Sequence, residues 1–262
     1  AVLCCGLVFT SLWMNRGVKE NLGVAEIPRV LKTDHQVAVP TLIFADGNKL
    51  NLKEREADST AGKSNIRITD DRVIYDTMPA VREIVYNRLI IPAGFTYNVT
   101  LADGTEVTLN AGSSLKYPEI FVGKQREVEL SGEAYFEVES DKKHPFIVKT
   151  KELTVEATGT AFNVNAYTSD NVTAVTLVKG KVAVTLDKKK TISLSPGEKI
   201  DYNLATSLYN VNKTNTYKWC SWKDGVLIFR DDPLEYVFKR LGQTYNVEFI
   251  LKDAELGKYS YK

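Results

Sequence analysis

Between Tyr97 and Tyr167 the chain alternates apolar and polar residues in short runs, and no other feature restricts its fold as much. The runs are rich in β-branched and aromatic residues. Turn residues cut them roughly every eight to twelve positions, the pattern of an all-β domain. Val99, Leu101, Val107 and Leu109 flank Asp103-Gly104, a dipeptide whose tolerance of positive φ suits a tight hairpin. Farther on, Val128 and Leu130 share one phase, Glu127 and Glu129 the other. After Ser131-Gly132 the alternation resumes, predicting Ala134, Phe136 and Val138 inward and Glu133, Tyr135, Glu137 and Glu139 outward. By the same phase Phe136, Val138, Phe146, Val148, Phe162 and Val164 are the expected core.

A chain of 262 residues, 44% hydrophobic and 26% charged, can bury a sizeable core in one large or two unequal domains. Thirty-four basic residues against thirty-three acidic ones leave a formal charge of +1, with Lys and Glu interleaved, so no field favours nucleic acid. Cys4 and Cys5 are adjacent and Cys220 stands alone, which provides no disulfide framework. His35 and His144 are the only histidines, and no CxxC or HxxxH spacing occurs, so no metal and no cofactor is expected.

Ala1 to Met14 carries no charge and its last two residues are Trp13 and Met14, which reads as the C-terminal half of a transmembrane helix. At about 1.5 Å per residue it spans about 21 Å, less than the roughly 30 Å hydrocarbon core. A signal-peptide apolar region and a buried core helix are the other readings of this run. Residues 15–36 read as a polar tether, in which Pro28 stops any helix begun there. From Val37 an internal repeat begins: LIFADGNKLNL (42–52) aligns without gaps to VTLADGTEVTL (99–109), an offset of 57 from Leu42 to Val99. Lys53 to Lys63 reads as a surface loop; Gly62-Lys63-Ser64 imitates a phosphate-binding loop but lacks its first glycine and the helix that must follow. Further strands are expected at Arg72 to Tyr75, Glu83 to Leu89, Val172 to Val178, Lys181 to Leu186 and Ile192 to Leu194.

Residues 37–203 thus read as an all-β domain, a sandwich or a rolled, solenoid-like sheet. Alternation lapses over residues 204–219, the expected linker. Residues 220–262 differ in kind: a strand at Gly225 to Phe229, an N-cap and first helical position at Asp232-Pro233, helical spacing of Leu234, Val237, Phe238, Leu241 and Tyr245, and a strand at Val247 to Leu251. The expected fold is mainly β, a large all-β domain followed by a small β-α-β domain that stops before it is complete.

No catalytic constellation emerges. Glu127, Glu129, Glu133, Glu137 and Glu139 read as a solvated strand face, with nothing in the sequence to split their pKa values as a glycosidase requires. Ser113-Ser114 lacks a nucleophile elbow, and His144 sits in a loop-like KKHPF. Trp219, Trp222 and Tyr236 are residue types enriched at binding hot spots, and Leu227, Phe229 and Phe249 would select a partner strand added to an open edge; core packing of the small domain is the alternative for the aromatics.

Five segments, LADGTEVTLNAGSSLKYP (101–118), REVELSGEAYFEVESDKKHPFIVKT (126–150), GTAFNVNAY (159–167), LVKGKVAVT (177–185) and LSPGEKI (194–200), resemble in content and order the FecR family of transmembrane anti-sigma regulators. SWKDGVLIFRDDPLEYVFKRLGQTYNVEF (221–249) resembles the small secretin and TonB N-terminal type domain at the C-terminus of such regulators. The resemblance implies a single-pass bacterial inner-membrane protein with most of this chain in the periplasm. It also implies a non-enzymatic relay from a ligand-loaded TonB-dependent outer-membrane transporter, through the transporter's N-terminal signalling domain, to an extracytoplasmic-function sigma factor. The sigma factor would be bound by a cytoplasmic domain absent from this chain. The rival from another class is a secreted β-sandwich that binds or hydrolyses carbohydrate.

Overall fold

The structure, a computed structural model, describes residues 39–53, 59–60, 66–69, 71–75, 84–187, 189–251 and 254–261. The apolar run 1–14, the tether 15–36 and Gly62-Lys63-Ser64 lie outside the described residues. In chain order the strands are β1 (Thr41–Ile43), β2 (Lys49–Asn51), β3 (Ser59–Thr60), β4 (Ile66–Ile68), β5 (Arg72–Tyr75) and β6 (Tyr86–Ile91). Then come β7 (Tyr97–Thr100), β8 (Glu106–Leu109), β9 (Ser113–Pro118), β10 (Arg126–Glu137), β11 (Phe146–Lys149) and β12 (Leu153–Ala157). The large domain continues with β13 (Ala161–Ala166), β14 (Val172–Lys179), β15 (Val182–Leu186), β16 (Lys190–Leu194), β17 (Glu198–Asn203) and β18 (Tyr209–Lys213).

Among the described residues these strands form one hydrogen-bonded network of eighteen that bends into two facing layers at β10. The first layer runs β2-β1-β6-β9-β10-β11-β12-β15-β16. The second runs β3-β4-β5-β7-β8-β10-β13-β14-β17-β18. Among the described strands only β10–β11 and β5–β7 pair in parallel. From β11 onward each hairpin enters the layer opposite to the one before it, so the sandwich is wound as a roll. The internal repeat is visible in its turns: Phe44 N donates to Asn48 O and Gly47 N to Phe44 O, as Leu101 N donates to Thr105 O and Gly104 N to Leu101 O. Asp46 and Asp103 each accept the amide of the residue two positions on, at 3.0 Å.

The twelve residues of β10 belong to both layers. Ser131 pairs with Ser114 of the first and Gly132 with Ala166 of the second. Gly132 has φ +95°, and a Cβ there would lie 2.5 Å from Ser113 Oγ, so only glycine fits the joint. Inside, Phe136 stacks on Phe162 at 5.2 Å between centroids and meets Phe146 of the other layer at 6.1 Å. Phe136, Val138, Phe146, Val148, Phe162 and Val164 are all buried, as the alternation predicts.

The C-terminal part departs from expectation in detail. Residues 204–219 hold β18, which extends the second layer, and the helix α1 (Thr216–Cys220), capped by Asn215 Oδ1 on Tyr217 N at 3.1 Å. A 3-10 turn at Ser221–Asp224 ends on Gly225 with φ +75°. Gly225 to Phe229 is not a strand: its apolar residues pack without a ladder partner, Leu227 against Cys220 and Trp222, and Phe229 against Tyr236. Asp232 and Pro233 form the two-residue β19 (Asp232–Pro233), paired with β20 (Ser260–Tyr261), so Pro233 is the N-cap and α2 spans Leu234–Tyr245. Val247 to Leu251 is extended, with a single bridge at Glu248. Asn246, at φ +52°, ends α2 by donating its amide to Gly242 O. No described helix is long and apolar enough to cross a membrane.

Phe162→Ala is expected to lower stability by about 3–5 kcal/mol, the range for deleting a fully buried Phe. Denaturant melts check it, and a loss below about 1 kcal/mol would contradict the packing around Phe136.

Candidate functional site

Pleating sends alternate residues of β10, β13, β14 and β17 away from the core, and register lines them up in cross-strand rows. One row is Glu133, Asn165, Ala174, Asp201; the next is Tyr135, Asn163, Thr176, Lys199. The phase expected for Glu133 and Tyr135 is therefore the one observed, but the expected solvation is not: Glu133 is 2% exposed and Tyr135 6%. Glu137 and Glu139, in the same phase, remain exposed. The difference is a cover, because the segment from α1 through α2 lies across this outer face.

Side chains of the cover meet partners on the sheet. Arg240 of α2 forms an ion pair with Glu133 at 2.7 Å, both side chains under a tenth exposed. The Glu133 carboxylate also accepts from Asn110 Nδ2 at 2.7 Å and Asn163 Nδ2 at 3.0 Å. Trp222 Nε1 donates to Asn163 Oδ1 at 3.2 Å, and Trp222 with Cys220 packs on Tyr135. Lys239 pairs with Asp170 and donates to Ser169 O at 3.2 Å, while Gly94 N donates to Gln243 O at 2.8 Å. Burial works against the Arg240 charge, but Glu133, Tyr236 and Tyr167 together outweigh it and hold the guanidinium pKa above its usual value. Burial pushes the Tyr236 phenol and the Cys220 thiol up to about 12, so both are protonated at neutral pH and Cys220 is a poor nucleophile.

The cover does not close over the whole face. A cavity of about 470 Å³ remains between the sheet and α2. Asn165, Ala174 and Thr176 line its floor and Tyr236 and Lys239 its α2 side, while Trp219 contributes to the rim, under the ammonium of Lys199 at 3.9 Å. Among the described residues no three His, Cys, Asp or Glu side chains cluster as a metal site.

Of the residues singled out by sequence, Trp222, Leu227, Phe229 and Tyr236 come together under the cover, Trp222 as a buried anchor and Tyr236 as a cavity wall. Phe249 lies apart from them, stacked on Phe238 at 5.0 Å beside a groove lined by Gly242, Val247 and Leu251. Glu133, Asn163 and Arg240, which tie the two parts together, were not legible as a site. The available signal was the amide pair Asn163 and Asn165, on an outward phase that elsewhere carries Lys and Glu.

The model described as FecR protein matches residues 88–183, and the model described as FecR, C-terminal, matches residues 226–262. Two crystal structures from Parabacteroides distasonis ATCC 8503, each described as a proposed anti-sigma factor, are similar. One is 35% identical with a TM-score of 0.63, over 67% of this chain and 82% of that one. The other is 36% identical with a TM-score of 0.59, over 62% and 75%. No curated protein matches the chain.

Arg240→Met, which strands the Glu133 carboxylate, is expected to cost about 3–5 kcal/mol, and adding Glu133→Gln should recover most of it. Denaturant melts followed by Trp222 fluorescence measure both; purely additive losses would show that the residues do not act as a pair.

Proposed function

This chain belongs to the FecR family of anti-sigma regulators, and on that premise we propose that it is the signal-receiving, periplasmic part of one. The family role is regulation of a sigma factor. Beyond it, we read the input as the N-terminal signalling domain of a ligand-loaded TonB-dependent outer-membrane transporter. The output passes to the sigma factor through a cytoplasmic domain outside this chain. The uncharged run Ala1 to Met14 supports a single-pass anchor in the inner membrane.

The observation that carries the reading is how the C-terminal module is held. Its inner side is pinned to the β domain by polar contacts, and its outer side shows Tyr245, Ile250, Leu256 and Tyr259, each 45% exposed or more. Val247 to Leu251 is extended and has one ladder bridge at Glu248, so a partner strand can add through main-chain hydrogen bonds, with Phe249 and its neighbours providing selectivity. Engagement there would pull on α2 and its Glu133 contact. We assign no catalysis to the chain: Glu133, the buried carboxylate of the strand face, is occupied by Arg240, Asn110 and Asn163.

Binding of a cognate transporter signalling domain to the full chain, measured by calorimetry, tests this. Ile250→Glu and Tyr245→Glu, both at exposed positions, should weaken it at least about tenfold, about 1.4 kcal/mol. Unchanged affinity in both variants would remove the C-terminal module as the contact.

A further inference from the structure

We propose that the cavity between the second β layer and α2 binds a neutral, hydroxyl-rich small molecule of hexose to disaccharide size. The size is suitable: about 470 Å³ falls within the roughly 300–1,000 Å³ of small-molecule sites. Charge disfavours anionic ligands, and the Glu235 carboxylate on the lining repels them further. Lys199 is matched by Asp201, Lys239 by Asp170, Lys218 by Asp232 and Arg240 by Glu133, so an anion entering here must break a pair to make one.

Besides the Glu235 carboxylate, an acceptor for hydroxyls, the groups left for a ligand are neutral. Asn165 Oδ1 is buried and has no hydrogen-bond partner. Thr176 places its hydroxyl on the same floor, and the Tyr236 phenol, protonated until about pH 12, stands on the α2 side. Ala174 and Val172 add small apolar surface between them, which suits the C–H face of a sugar ring. Such a mixture of separated hydroxyl, amide and apolar contacts matches a polyol better than an ion or a hydrocarbon. A ligand there touches both the sheet and the helix that covers it, so binding stabilises the docked arrangement.

This inference goes beyond the relay reading and does not depend on it, because it is tested on the full chain with no transporter or sigma factor present. The probes are glucose, galactose, N-acetylglucosamine, maltose and cellobiose, with glucuronate as the anionic counterpart. Saturation-transfer NMR and calorimetry should find at least one neutral sugar bound at a Kd of about 1 mM or tighter, and glucuronate at least about tenfold weaker. Asn165→Leu and Ala174→Leu, which fill the cavity, should each weaken binding at least about tenfold with the circular dichroism spectrum retained. Thr176→Val, which removes only a hydroxyl, decides the matter if those variants do not fold, by weakening binding at least about threefold. The proposal is overturned if no neutral sugar binds by about 10 mM, if glucuronate binds as well, or if folded variants bind unchanged.

Discussion

Everything in this molecule hangs on one strand being shared by two sheets. The first half of β10 pairs with β9 and β11, and its second half with β8 and β13, with Gly132 as the joint. The positive φ of Gly132 and its contact with Ser113 leave no room for a side chain, so the crossing cannot slide along the strand. Because a strand sends alternate residues to opposite faces, fixing that crossing fixes two surfaces together. Phe136 is placed in the aromatic cluster of the core, and Glu133 is placed on the outside, under α2.

The two surfaces work by different physics. The inner one is apolar and close-packed, and its burial is non-directional and large, which holds the β roll together. The outer one combines a small apolar cluster, Trp222 and Cys220 on Tyr135, with directed polar contacts, Glu133 with Arg240, Trp222 with Asn163 and Lys239 with Asp170. A buried ion pair is weak support for stability, since both charges regain water when it separates. A polar interface between two parts of a chain resembles a transient protein contact more than a core. A tightly folded β domain carrying a module on a polar latch therefore suits a regulator that must change state without unfolding.

Much of the β domain was legible in advance because its signals are local. Phe136, Val138, Phe146, Val148, Phe162 and Val164 occupy the core as their phase requires, and Asp103-Gly104 turns the hairpin as its backbone freedom allows. The choice between sandwich and roll was not legible, since it rests on which layer each hairpin joins, and both choices have the same alternation. The small module was read less well. Leu227, Phe229, Val247 and Phe249 sit in short apolar runs, and such runs look alike whether they pair as strands or pack as extended coil against a helix. Asp232-Pro233 carries a helix-start signal, yet Asp232 was taken by the short ladder to Tyr261 and by Lys218, so the helix begins one residue later than its signal suggests.

The sequence alone determined which way side chains such as Glu133, Phe136, Val138, Phe162 and Val164 point, because a period of two is imposed by backbone geometry within a few residues. It could not determine which outward positions would meet water. Glu133 and Glu137 are four residues apart on one strand, in one phase and with one chemistry, yet one is buried and the other exposed. What separates them is Arg240, 107 positions later, with Trp222 and α2 around it. Pleating is local and can be read from neighbours in the chain, whereas coverage of a face is set by where a distant segment comes to rest, and only the tertiary structure decides that.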